Sequence, residues 1–325
     1  MPLTFDYPLE KLYDYQGRNP KPADHAAYWA AGLNEMRAID PQVELIPADF
    51  QTPFAKCYHL TFTGIDGARI YAKLLRPVTK PTTPQPAVLF FHGYSGDSGD
   101  WSQKLPYVAA GYTVAALDCR GQGGRSEDVG GVTGNTLNGH IIRGLTDALN
   151  GRPEKLLFRQ IFLDTAQLAK IVMDMPEVDE NRVGVTGNSQ GGALTVACAA
   201  LEPRIKRVAP IFPFLSDYQR VWEMDMAKDA FQELKDWFRR FDPQHAQEGS
   251  VFTQLGYIDI QHLADRITGE VNWFLGLSDT ICPPSTQFAA YNKITSPKKL
   301  EMFPDFGHEN LPGHQDMVLQ FMLGL

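Results

Sequence analysis

Three residues of this chain have the types and the order that nucleophilic acyl chemistry needs: Ser189, Asp279 and His308. Ser189 lies in Gly187-Asn188-Ser189-Gln190-Gly191, a G-x-S-x-G. The apolar "RVGVTG" (182–187) before it reads as a strand, and "GGALTVACAALE" (191–202) behind it reads as a helix. A strand that turns sharply into a helix holds the serine hydroxyl out at the C-terminal end of a sheet, as a nucleophile elbow does. A tight structural turn is the alternative; the strand–turn–helix order favours the nucleophile. A hydroxyl is a weak nucleophile and needs a base that is itself oriented by an acid. On a sheet flanked by helices the chain order is serine, acid, histidine. "VNWFLGLSDT" (271–280) ends a late strand at Asp279, and "KLEMFPDFGHE" (299–309) places His308 after the last strand. His314 is the competing base, six residues further on and near the final helix. Asp305, three residues from His308, would have to bend back within one turn to serve as the acid.

The tetrahedral oxyanion of acyl transfer calls for two backbone N–H donors. One is expected from Gln190, the residue after the nucleophile. The other is expected from Tyr94, which follows His92-Gly93 in "FFHGYSG" (90–96), at the end of an earlier strand. His92 precedes both nucleophile and acid and is read as a packing or supporting residue. The aromatic residues Tyr94, Trp101, Phe212 and Phe214, with Pro213 between the last two, are expected to wall a small acyl pocket.

Other chemistries find less support. Gly96-Asp97-Ser98-Gly99 looks like the serine motif of chymotrypsin-type proteases, but those are all-β double barrels, and this chain alternates strands with helices. Ser98 is therefore read as a loop residue. "HENLPGH" (308–314) is not H-E-x-x-H, because position 312 is proline, so no metal site is expected. No cofactor is expected either. The four cysteines form no C-x-x-C pair and read as reduced, mostly buried thiols.

The elements that must position these residues follow from the pattern. "PADHAAYWAAGLNEMRAI" (22–39) reads as a helix with Asp24 as its cap, and 57–77 reads as a β-hairpin turning at Asp66-Gly67. From residue 87 onward, short apolar strands alternate with helices, which predicts an α/β fold with a parallel sheet covered on both faces. A single domain is expected over 1–325, with a helix-and-hairpin extension at about 1–85 and a helical cap at about 216–268. The glycine-rich 121–153 connection is far longer than the usual ~4–6 residues and is expected to be functional. Net charge is −8, from 38 acidic and 30 basic side chains, and no Lys/Arg run exceeds two residues, which argues against nucleic acid and anionic membrane as partners. The N-terminus shows no signal-peptide pattern, so a cytoplasmic location is expected.

With these pieces in place, the chain resembles the acetyl xylan esterase / cephalosporin-C deacetylase family of α/β-hydrolases. The resemblance is carried by "DCRGQG" (118–123), "GNSQGG" (187–192), "PFL" (213–215), "DTICPPSTQFAAYN" (279–292) and "GHE" (307–309), in order and across most of the chain. It implies serine deacetylases of small acetylated sugars and of cephalosporins, usually assembled as homo-hexamers with inward-facing sites. It implies Ser189, Asp279 and His308 as the triad and Tyr94 and Gln190 as oxyanion donors. It further implies that Arg120 and Gln122 support the active-site loops. Asn188 departs from the smaller residue expected there. A perhydrolase or another short-chain esterase on the same triad, and a non-enzymatic binding module of hydrolase fold, are the alternatives.

Overall fold

The computed structural model describes residues 5–79, 82–129 and 140–325; residues 130–139 of the glycine-rich connection lie outside it. Among the described residues, nine strands form one sheet: β1 (Glu44–Pro47), β2 (Ala55–Thr63), β3 (Arg69–Pro77), β4 (Gln85–Phe91), β5 (Thr113–Leu117), β6 (Val178–Asn188), β7 (Arg207–Ile211), β8 (Glu270–Gly276) and β9 (Lys298–Phe303). Their order is β1-β2-β3-β5-β4-β6-β7-β8-β9. The strands from β4 to β9 pair in parallel, as the apolar runs in most of them predict. The hairpin does not stand apart. Its β3 pairs antiparallel with β5, through Ala72–Leu75 against Leu117–Val114, so the N-terminal extension lengthens the main sheet. Asp66 and Gly67, at φ 58° and 78°, make the turn between β2 and β3.

Eleven α-helices are present among the described residues: α1 (Leu9–Asp14), α2 (His25–Ala38), α3 (Leu105–Ala109), α4 (Leu145–Leu149), α5 (Leu157–Met173), α6 (Gln190–Leu201), α7 (Tyr218–Glu223), α8 (Gln232–Phe241), α9 (Glu248–Leu255), α10 (Pro284–Tyr291) and α11 (His314–Met322). Side chains alternate across β4: Ala87, Leu89 and Phe91 enter a core shared with α2, α5 and α6, while Val88 and Phe90 enter one shared with α3 and α11. The sheet is therefore covered on both faces. Between β7 and β8, within the 216–268 span, lie helices α7, α8 and α9, with Trp222, Phe238 and Phe252 packed together. No helix among the described residues is long and apolar enough to cross a membrane.

One local expectation is corrected. Asp24 stands before α2, but its side chain does not cap the helix; Oδ1 accepts the Tyr257 hydroxyl at 2.6 Å instead. A partner distant in sequence outcompetes the local one.

Candidate active site

Ser189 sits between the end of β6 and the start of α6 with φ 57° and ψ −117°, a conformation that a residue with a side chain rarely adopts. Neighbouring backbone holds it there. Its N–H donates to the carbonyl of Ile211 at 2.9 Å, and its carbonyl accepts the N–H of Phe214 at 3.0 Å, so β7 and the chain beyond it clamp the turn. Small residues make the approach possible: a Cβ on Gly191 would lie 2.1 Å from the Phe91 carbonyl oxygen, and one on Gly187 2.4 Å from the same atom. The glycines of G-x-S-x-G are thus required by the packing of the elbow on β4.

The structure brings the three residues together. His308 Nε2 is 2.9 Å from Ser189 Oγ, and His308 Nδ1 is 2.8 Å from Asp279 Oδ2. Asp279 is fully buried, and its other oxygen accepts the N–H groups of Ile281 (2.9 Å) and Cys282 (2.8 Å). A carboxylate only accepts, so Nδ1 carries the imidazole proton and Nε2 is left to accept the serine hydroxyl. The Phe212 ring lies 4.6 Å from the His308 ring and walls it on one side. His314 lies elsewhere: it is buried at the head of α11 with Nδ1 on the Leu311 carbonyl. Asp305 is exposed.

Gln190 begins α6, so its N–H has no carbonyl partner within the helix. Tyr94 lies in the tight turn closed by the Gly96 N–H on the Gly93 carbonyl. Gln122 and Gln190 form a reciprocal amide pair (2.8 and 2.9 Å), and Gln122 Oε1 also accepts the Ser95 N–H at 3.0 Å. Arg120 is buried and grips Asp164 with two bonds of 2.7 Å, joining the end of β5 to α5. Burial pushes the His92 imidazole below its ordinary value. Nε2 accepts the Cys119 N–H (2.9 Å), which leaves Nδ1 to donate to the Gly93 carbonyl (2.7 Å). The ring is a neutral brace for the loop. Ser98 is buried with its N–H on Asp118, as befits a structural loop residue.

The pocket residues divide. Phe212, Pro213 and Phe214 lie beside the elbow, with Pro213 packed on Gly192. Trp101 stacks on Phe50 (6.3 Å) and meets His59 (5.6 Å), with Lys73 over its ring, on the β2–β3 side. A cavity of about 550 Å³ beside the elbow is lined by Phe91, Gly93, Lys104, Asn188 and His314 and reaches neither Ser189 nor His308. Lys104, which burial and then Lys73 lower to about 8, donates there to the carbonyls of Ser98 and Asp100.

One residue near the site went unread in the sequence: Glu233 of α8, which receives the Tyr94 hydroxyl and belongs to no motif. Cys282, read as a buried thiol, is buried against Asp279 and the Ser189 hydroxyl, and burial pushes its thiol well up. Among the described residues, Asp279, Cys282 and His308 are the three side chains whose metal-ligating atoms come within 4.8 Å of one another, but Oδ2 and Nδ1 of this group already bond each other.

A parallel sheet with an elbow after β6, an acid after β8 and a histidine after β9 defines an α/β-hydrolase with a Ser-His-Asp arrangement. Comparison with known proteins specifies the family. The acetyl xylan esterase family model matches residues 1–325, and the chain belongs to that family of esterases. An acetyl xylan esterase structure from a Thermoanaerobacterium species is 60% identical, with a TM-score of 0.95 over 98% of this chain and 99% of that one. One from a Paenibacillus species is 32% identical, with a TM-score of 0.91 over the same shares. An acetyl esterase of Xylanibacter ruminicola is 27% identical over 87% of this chain, and the chain spans 62% of that relative's length.

Proposed function

We propose that the protein is a serine esterase that removes acetyl groups from small acetylated substrates, such as acetylated xylo-oligosaccharides and cephalosporin C, through an acyl-enzyme on Ser189. The observation that carries this reading is the continuous chain from Ser189 Oγ to His308 to buried Asp279, with links of 2.9 and 2.8 Å. As Oγ attacks the ester carbonyl, His308 Nε2 takes its proton, and the Asp279 carboxylate stabilises the imidazolium through Nδ1–H. The N–H groups of Tyr94 and Gln190 donate hydrogen bonds to the oxyanion. His308 then gives its proton to the leaving alcohol, and water repeats the cycle on the acetyl-enzyme to release acetate. Gln122 braces the segments that carry these donors, and Arg120 anchors the segment that carries Gln122 to α5. Phe212 and Phe214 bound the acyl side closely, which favours acetyl over longer chains. A homo-oligomer is proposed on the resemblance alone and is checked by light scattering.

Initial rates on acetylated xylo-oligosaccharides, polymeric acetyl xylan, cephalosporin C and a p-nitrophenyl acetate-to-butyrate series test the reading. Short acetylated sugars should turn over fastest, and rates should fall steeply with acyl length. Ser189→Ala should lower kcat by about 10⁶-fold with folding unchanged. A Ser189→Ala variant that keeps its esterase activity would refute Ser189 as the nucleophile, and a wild-type chain that turns over no ester would point to a binding module of hydrolase fold.

A further inference from the structure

Glu233 stands in the first turn of α8, 139 residues from Tyr94 in sequence, yet its carboxylate is the point where the β7–β8 insertion meets the Tyr94 loop. Oε1 accepts the Tyr94 hydroxyl and the His140 N–H (2.9 Å); Oε2 accepts the N–H groups of Ile141 (2.7 Å) and Ile142 (3.2 Å). Three successive backbone N–H groups and a phenol thus close on one carboxylate, which is the arrangement of an anion-binding nest. Burial and the adjacent Glu233 push the Tyr94 phenol well above its ordinary value, so it remains a donor.

The same loop is held at a second point. Ser95 adopts φ 57°, a strained conformation of the kind that persists only where the surroundings enforce it. Its N–H is held by Gln122, which pairs with Gln190, and its hydroxyl meets His140 Nε2 at 3.2 Å. The His140 ring packs on Tyr94 at 4.7 Å, and Phe214 closes the other side at 5.9 Å. The loop that carries the Tyr94 N–H is therefore fastened at the Tyr94 side chain and again at the next residue.

We propose that Glu233 is a positioning residue for the reaction: it fastens the helical insertion to the Tyr94 loop, so that the second oxyanion donor is in place only when the insertion is docked. This rests on the reading of the Tyr94 N–H as that donor. Glu233→Gln keeps the side-chain size but replaces one acceptor oxygen with two donors, which face donors. Tyr94→Phe removes the same contact from the other end and leaves the nest and the Tyr94 N–H untouched.

The full-length chain is assayed with p-nitrophenyl acetate, per active site titrated with a fluorophosphonate, and with methylboronic acid as inhibitor. The boron accepts an electron pair from Ser189 Oγ, whose proton passes to His308, giving a tetrahedral anion that draws on the oxyanion donors. In Glu233→Gln, kcat should fall about 10- to 100-fold, the range for a misplaced rather than a deleted donor, with KM changed less than about threefold. The boronic acid Ki should rise by the same factor as kcat/KM falls. The double variant should be no slower than Glu233→Gln, because both changes break one contact. Wild-type kcat and Ki in both single variants, or additive losses in the double, overturn the role of Glu233. Should Glu233→Gln fail to fold, wild-type kcat and Ki in Tyr94→Phe alone overturn it. Ser189→Ala, run alongside, reports on the site reading separately, which falls if that variant stays active.

Discussion

Gly191→Ala is a severe test of the elbow, because the added methyl has nowhere to go. A Cβ there would stand 2.1 Å from the Phe91 carbonyl oxygen, 2.7 Å from its carbon and 3.1 Å from the His92 oxygen. All three are backbone atoms, so no rotamer relieves the collision. Opening the shortest contact from 2.1 Å to at least 3.0 Å moves α6 and the end of β4 apart by about 0.9 Å. That displacement falls between Gln190, the residue before Gly191, and Tyr94, three residues beyond Phe91. The two proposed oxyanion donors separate. A misplacement of about 1 Å costs on the order of 10²-fold in rate, and overpacking costs about 1–3 kcal/mol in stability, here at the upper end. The assay is kcat on p-nitrophenyl acetate per titrated site, with a thermal melt, beside Gly249→Ala in α9. A Cβ on Gly249 meets open space, so that control should melt at or slightly above wild type, gaining at most about 1 kcal/mol. A Gly191→Ala protein with wild-type kcat and Tm would refute the close packing of the elbow on β4.

His308→Ala should lower kcat by about 10⁵- to 10⁶-fold, whereas His314→Ala, which loses only a contact at the head of α11, should stay within about threefold. The reverse result would reassign the base. Burial, with Asp217 next, pushes Asp259 up to about 7, against about 3.9 in the unfolded chain. The folded state then holds an extra proton between these values; the stability drawn from it is full below the lower value and is lost as pH rises through about 7. Asp259→Asn removes this dependence, so the Tm of the variant minus that of wild type should grow more positive between about pH 5 and pH 8. A pH-independent difference would show that Asp259 is ionised in the fold throughout.

That Ser189, Asp279 and His308, the proposed nucleophile, acid and base, would meet was legible because each is set by its own strand end. An apolar strand followed by a glycine-flanked serine, an aspartate after β8 and a histidine after β9 need only chain order to be placed. The parallel half of the sheet was legible because β4, β5, β7 and β8 are mostly apolar and buried and β6 ends in such a run, although β9 is not. β1 was not, because it is an edge strand with mostly exposed residues and no alternation. α3 was not, because it has five residues with a proline in its first turn. Asp24 misled because a hydroxyl from residue 257 took the oxygen that a local cap would have used.

The oxyanion side of the site is a different kind of object. Its two proposed donors sit on segments separated by 96 residues, and side-chain bonds tie those segments together through residues 122, 140–142 and 233. Gln122 reaches both Gln190 and the Ser95 backbone, and Glu233 reaches both Tyr94 and residues 140–142. Glutamine and glutamate on loops and helix surfaces carry no periodic or spacing signal, since most such residues face solvent. A motif can therefore announce where a nucleophile stands without announcing how its transition state is held. In this chain the proposal gives part of that second task to the insertion between β7 and β8, which the sheet does not need for closure. The residue that ties that insertion to the Tyr94 loop is visible only after folding has brought α8 against that loop.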